Sequence, residues 1–144
     1  MNNPPERIDH IGIAVRSIKD QLPFYLDHLH LELAGMEEVK EQGVKVAFIK
    51  IGNSKIELLE PLGNEGPLHT FLEKKGEGIH HVALGVTNIN ERLKELRDSG
   101  IRTLQDKSSR GAGGAEVAFL HPASAGKVLY ELCEPKKQED LYDK

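Results

Sequence analysis

The chain is written twice, and that repeat limits its fold more than any other feature. IDHIGIAV (8–15) resembles IHHVALGV (79–86), and SIKDQLPFYLDHL (17–29) corresponds to NINERLKELRDSG (88–100). KVAFIKIG (45–52) then corresponds to EVAFLHPA (116–123), and SKIELLEP (54–61) to KVLYELCEP (127–135). His10 and His81 are 71 positions apart, and so are Phe48 and Phe119. Glu57 and Glu131 are 74 apart, because the second copy has a loop three residues longer. Four matched blocks in one order are far harder to obtain by chance than one.

Each copy reads strand, helix, strand, strand, strand. In the first, residues 7–15 alternate and stop before Ser17, a suitable N-cap. Ile18, Leu22, Tyr25, Leu26 and Leu29 then recur near helical spacing, with Pro23 making the first turn irregular or the start late. In the second copy Asn88 can cap, Ile89, Leu93 and Leu96 form the apolar stripe, and Gly100 can stop the helix. PLHTFLEKK (67–75) reads as a short joining helix closed by Gly76 and Gly78, and the charged tail after Pro135 as frayed. The fold class expected is α+β: tandem βαβββ modules whose sheets bury their apolar faces as a half-open eight-stranded barrel around a metal site. The modules run 7–66 and 79–135, joined by 67–78, within one domain.

Composition narrows the partners. Charged residues make up 29% and the net charge is -4, so the basic field of a nucleic-acid binder is missing. No apolar run approaches membrane-spanning length, and MNNPPER lacks the regions of a signal peptide. Cys133, the single cysteine, allows no internal disulfide. The expectation is a soluble cytoplasmic protein.

Four polar residues interrupt apolar strands. His10 shares its strand face with Ile8, Gly12 and Ala14, and His81 shares its face with Ile79, Ala83 and Gly85. Small neighbours leave room beside each imidazole, which suits a cavity better than a packed core. Glu57 lies among Ile56, Leu58 and Leu59; Glu131 lies among Leu129, Tyr130, Leu132 and Cys133. Burying a lone carboxylate costs on the order of several kcal/mol unless it is paired, and a divalent cation removes that cost. Two His and two Glu related by the repeat suit Co, Ni, Zn or Mn and leave up to two positions for water or substrate. The competing reading is satisfied core histidines and solvated strand glutamates; the latter is the reading taken for Glu60 and Glu134. His80 points to the face opposite His81 and is set aside as a ligand. His28, His30 and His69 read as surface residues, His121 as a rim candidate and Cys133 as core. The loop KSSRGAGGAE (107–116) is either a flexible hairpin connection or a rim whose amides and Arg110, with Gly113 and Gly114, hold an anionic group.

IDHIGIAV, FIKIGNSKIELLEPLG, GIHHVALGV, GAGGAEVAFLHP and GKVLYEL, together spanning Arg7 to Pro135, resemble the vicinal-oxygen-chelate superfamily of tandem βαβββ metalloenzymes, and within it the methylmalonyl-CoA epimerases. The resemblance implies metal ligands at His10, Glu57, His81 and Glu131, one divalent ion per chain with cobalt preferred, an acyl-CoA substrate and a homodimer. It implies removal and return of the C2 proton of a malonyl thioester through a metal-stabilised enolate, with Glu131 as both ligand and base. Some members carry glutamine at the position of Glu57. Some carry a second glutamate base where this chain has Val46, so Glu57, a water or a loop residue would serve the second face. The alternatives are a glyoxalase I-like lyase, a dioxygenase, or a non-enzymatic binding protein of the same fold.

Overall fold

The structure, a computed structural model, describes residues 3–136; the tail beyond Lys136, expected to fray, lies outside the described residues. The chain divides into two compact units, Asp9–His81 and a second formed by Val82 onward with the residues up to Ile8. The joining helix therefore groups with the first unit.

In the first unit, β1 (Arg7–Ala14), β2 (Glu32–Val39), β3 (Val44–Ile51) and β4 (Ser54–Pro61) are ordered β2-β3-β4-β1. β1 runs parallel to β4 and the other pairs are antiparallel. One sheet face carries Ile13, Ala47, Ile49, Ile56 and Leu58. They pack with Val15, Ile18, Leu22 and Tyr25 in a core from which water is excluded. The other face brings His10, Gly12, Glu57, Phe48, Leu59 and Val46 into register.

Ser17 caps α1 (Ile18–Pro23) as expected, its Oγ accepting from the Asp20 amide at 3.2 Å. The helix does not continue through Leu29. Pro23 has no amide proton to donate, and a π-helical turn, Phe24–His28, follows it, with the Leu29 amide reaching back to the Phe24 carbonyl at 3.1 Å. The wider turn shifts the side-chain spacing, so Leu29 is exposed rather than buried with the stripe. α2 (Pro67–Lys75) closes at Gly76, which takes φ +76°.

The second unit holds β5 (Gly78–Gly85) from Val82 onward, with β6 (Ser109–Arg110), β7 (Glu116–Phe119) and β8 (Tyr130–Glu134), ordered β5-β8-β7-β6 with β5 parallel to β8. α3 (Ile89–Asp98) buries Ile89 and Leu93 against Val86, Ala118, Leu120 and Leu132. Gly100 follows it with φ +90°, as a stop should. Cys133 is core, packed with Ala83, Ala115 and Val117.

Two sequence expectations fail at the helix starts, for one reason. Asn88 makes no side-chain cap and sits in the left-handed region at φ 54°. The Asn88 and Ile89 amides donate instead to Glu134, at 3.1 and 3.0 Å. In the first unit the Ile18 amide donates to Glu60 at 2.8 Å. Glu60 and Glu134 are thus half-buried caps rather than solvated strand residues. A carboxylate at a helix start satisfies orphan amides and meets the positive end of the helix dipole. No helix among the described residues is long and apolar enough to cross a membrane.

Candidate metal centre

The first unit brings the two proposed ligand histidines together and places Glu57 against one of them. His10 on β1 and His81 on β5 are 4% and 6% exposed, and their Nε2 atoms approach to 3.1 Å. The rings meet edge to face, with centroids 5.2 Å apart and planes at 87°. Gly12 makes this possible. A Cβ there would fall on His81 Cε1 and lie 2.6 Å from Nδ1 and 2.7 Å from Nε2, so only glycine leaves the ring its place. Glu57 stands opposite Gly12 in the β1–β4 register, and its Oε2 meets His10 at Nδ1, 3.3 Å away.

The outer edge of His10 belongs to a charged cluster that the sequence reading passed over. Asp9, 2% exposed, accepts from His10 Nδ1 at 2.8 Å. Lys55 Nζ lies 3.7 Å from Asp9 and 3.8 Å from Glu57. A histidine with a carboxylate on Nδ1 keeps its proton there and offers Nε2 as a lone pair, the usual second-shell device at metal sites. The signal was present in the sequence as an acidic residue immediately before His10.

His80 also departs from expectation. Its backbone faces away from His81, yet its ring turns so that the two Nδ1 atoms stand 3.0 Å apart. The His80 ring rests edge-on against Phe71 of α2, at 4.9 Å. Burial pushes the His81 pKa down to about 3, with His10 and then His80 adding to the effect. Burial first, and Lys75 second, lower that of His80. Both rings are neutral at pH 7, the state in which imidazole binds a metal. Two buried imidazoles whose Nε2 atoms approach to 3.1 Å form a nitrogen donor pair of the kind that fits a divalent ion, while the Glu57 carboxylate meets His10 at Nδ1 rather than at Nε2.

Glu131 belongs to the second unit. It is 6% exposed and stands in register with Ala83 on β5 and Phe119 on β7. Glu57 stands in register with Gly12 and Phe48, so the two glutamates hold equivalent places in their own sheets. Val46 is buried between Leu59 and Glu37, leaving no carboxylate at that position.

The remaining candidates fall elsewhere. Arg110 is exposed on β6, and its Nη2 lies 3.8 Å from where a Cβ at Gly114 would stand. Gly113 and Gly114 take φ of 70° and 77°, a turn that glycine adopts without a Cβ penalty. The loop is also tied down: the Ser108 amide donates to Asn90 at 2.9 Å and its hydroxyl to Glu116 at 2.7 Å. His121 does local work, its Nδ1 accepting from the Ala123 amide at 3.0 Å. His28 and His30 are exposed, whereas His69 is half-buried on α2.

Residues 9–119 match the Glyoxalase/Bleomycin resistance protein/Dioxygenase superfamily. The chain is 41% identical to the mitochondrial methylmalonyl-CoA epimerase of Mus musculus, over 88% of this chain and 71% of that protein. A hypothetical protein of Bacillus halodurans is 58% identical, with a TM-score of 0.90 over 92% of this chain and 96% of that one. A methylmalonyl-CoA epimerase solved with methylmalonyl-CoA and an ammonium ion is 37% identical, with a TM-score of 0.88 over 92% and 96%.

Proposed function

We propose that this chain, which belongs to the methylmalonyl-CoA epimerase family of the glyoxalase, bleomycin-resistance and dioxygenase superfamily, interconverts the 2R and 2S forms of methylmalonyl-CoA. The observation that carries the proposal is the buried approach of His10 Nε2 to His81 Nε2. In this reading His10, Glu57, His81 and Glu131 hold one divalent ion. When bound, the ion supplies a fixed positive charge for the thioester and carboxylate oxygens of the substrate, where negative charge grows as the C2 proton leaves.

The protein's part is to move that proton. Glu131 is assigned as the base that takes it from one face of C2. Glu57 is assigned to the other face, because Val46 offers no proton and Glu57 holds the equivalent register position in the first sheet. Its contact with His10 and its nearness to Lys55 suit a ligand first and a proton carrier second. Arg110, Gly113 and Gly114 are assigned to the anionic portion of the acyl-CoA. Cobalt as the resident ion, with zinc, nickel or manganese as substitutes, a homodimer and a cytoplasmic setting complete the proposal.

The test is deuterium incorporation at C2 of methylmalonyl-CoA in D2O, comparing metal-loaded with chelator-stripped protein. Metal-dependent exchange is the expected result. No exchange by protein verified to carry metal overturns the proposal and turns attention to glyoxalase substrates.

A further inference from the structure

We infer that His80 is a positioning residue for the metal-binding form of His81, doing for that ring what Asp9 does for His10. The inference rests on the metal reading above and concerns only groups of the first unit. A neutral imidazole has one donor and one acceptor nitrogen. A ring that gives its Nε2 lone pair to an ion carries its proton on Nδ1, and that proton needs an acceptor in buried surroundings. For His10 the acceptor is Asp9 Oδ1, at 2.8 Å. For His81 the atom facing Nδ1 is His80 Nδ1, at 3.0 Å.

Two Nδ1–H groups cannot face each other across that distance. If His81 carries its proton on Nδ1, His80 presents a lone pair there and keeps its own proton on Nε2. The repeat underlines the exchange of roles: Asp9 and His80 occupy the same position in their copies, each one residue before a ligand histidine. The ring of His80 is held for the task by Phe71, with centroids 4.9 Å apart and planes at 77°. The joining helix α2, which contributes no proposed ligand, thereby acts on the site through one ring.

The experiment needs no substrate. Zinc affinity is measured by competition with a chromophoric chelator for the unmutated protein, His80→Phe and His80→Asp, with thermal unfolding of each as a control. Imidazole 15N spectra of the zinc-loaded, unmutated protein report which nitrogen of each ring carries the proton. Expected are an affinity loss of about 10–100-fold for His80→Phe, recovery in His80→Asp, and His80 as the Nε2–H tautomer. Affinity within about threefold of the unmutated protein in a folded His80→Phe, or an Nδ1–H tautomer at His80, overturns the inference. The spectra use the natural sequence, so a variant that fails to fold leaves the test intact. Failure of the unmutated protein to bind zinc, cobalt, nickel or manganese sinks the metal reading itself. Normal metal binding and C2 exchange with an indifferent His80 sinks this inference alone.

Discussion

The two modules share a skeleton and differ in the surroundings of their key carboxylates. Both place a glutamate opposite a small residue on the first strand and a phenylalanine on the third. Both close the helix start with a second glutamate three residues later. Yet Glu57 sits in a charged cluster with His10, Lys55 and Asp9. The residue corresponding to Lys55 in the second copy is Leu129, and Glu131 lies between apolar neighbours on its strand. A duplicated frame thus keeps its backbone and caps while its polar groups diverge. Under the proposed function this difference assigns Glu57 first to holding an ion and Glu131 to moving a proton.

The sharpest way to break this division is to neutralise each carboxylate in turn. Glu131→Gln is expected to lower C2 proton exchange by roughly 10²–10⁴-fold. Glu57→Gln keeps an oxygen donor and is expected to cost about tenfold, mainly in metal affinity. Equal losses in a deuterium-exchange assay would erase the distinction.

The next contrast lies opposite the two glutamates. Gly12→Ala drives a methyl group into the His81 ring and is expected to destabilise by about 1–3 kcal/mol with loss of metal binding. The matching change in the second module, Ala83→Gly, is expected to cost only about 0.5–1 kcal/mol. Denaturant midpoints with and without metal check both; an unaffected Gly12→Ala would show that the His81 ring is not held where it is seen.

Acid should also act unevenly. The buried neutral His81 has a folded pKa of about 3 against an ordinary 6.5, so the unfolded chain takes up the extra proton between those values. Metal-free protein is therefore expected to lose stability as pH falls below about 6.5, at up to about 1.4 kcal/mol per pH unit for that one group. His81→Asn should flatten the slope in urea titrations at stepped pH. An unchanged slope would assign the loss to other residues.

The smallest effects concern what the modules share. Glu60→Gln and Glu134→Gln are each expected to cost about 1 kcal/mol in thermal unfolding. Glu134 should cost slightly more, because it accepts from two amides where Glu60 accepts from one at its helix start.

The repeat made the strand and helix order readable, because alternation and helical spacing are local properties of the chain. The same repeat singled out His10, Glu57, His81 and Glu131 as polar residues in apolar strands. Leu29 was misread because Pro23 does not merely delay a helix; it hands over to a wider turn. Asn88 was misread because its type predicts a cap, while the carboxylate that does the capping arrives from a strand 45 or 46 positions away. His80 was misread because strand alternation fixes where a side chain leaves the backbone, and not where a ring on a rotatable stem ends.

The duplicated βαβββ order was legible in the chain because it follows from local periodicity repeated in register, and the family was legible in the motifs that carry the resemblance. Only the tertiary structure decided which groups come together: Asp9 and Lys55 around His10 and Glu57, His80 beside His81, and Glu60 and Glu134 at the helix starts. The physical reason is that hydrogen bonds act over about 3 Å, and which donor comes within that distance of which acceptor depends on strand register, loop paths and rotamers that no local pattern encodes.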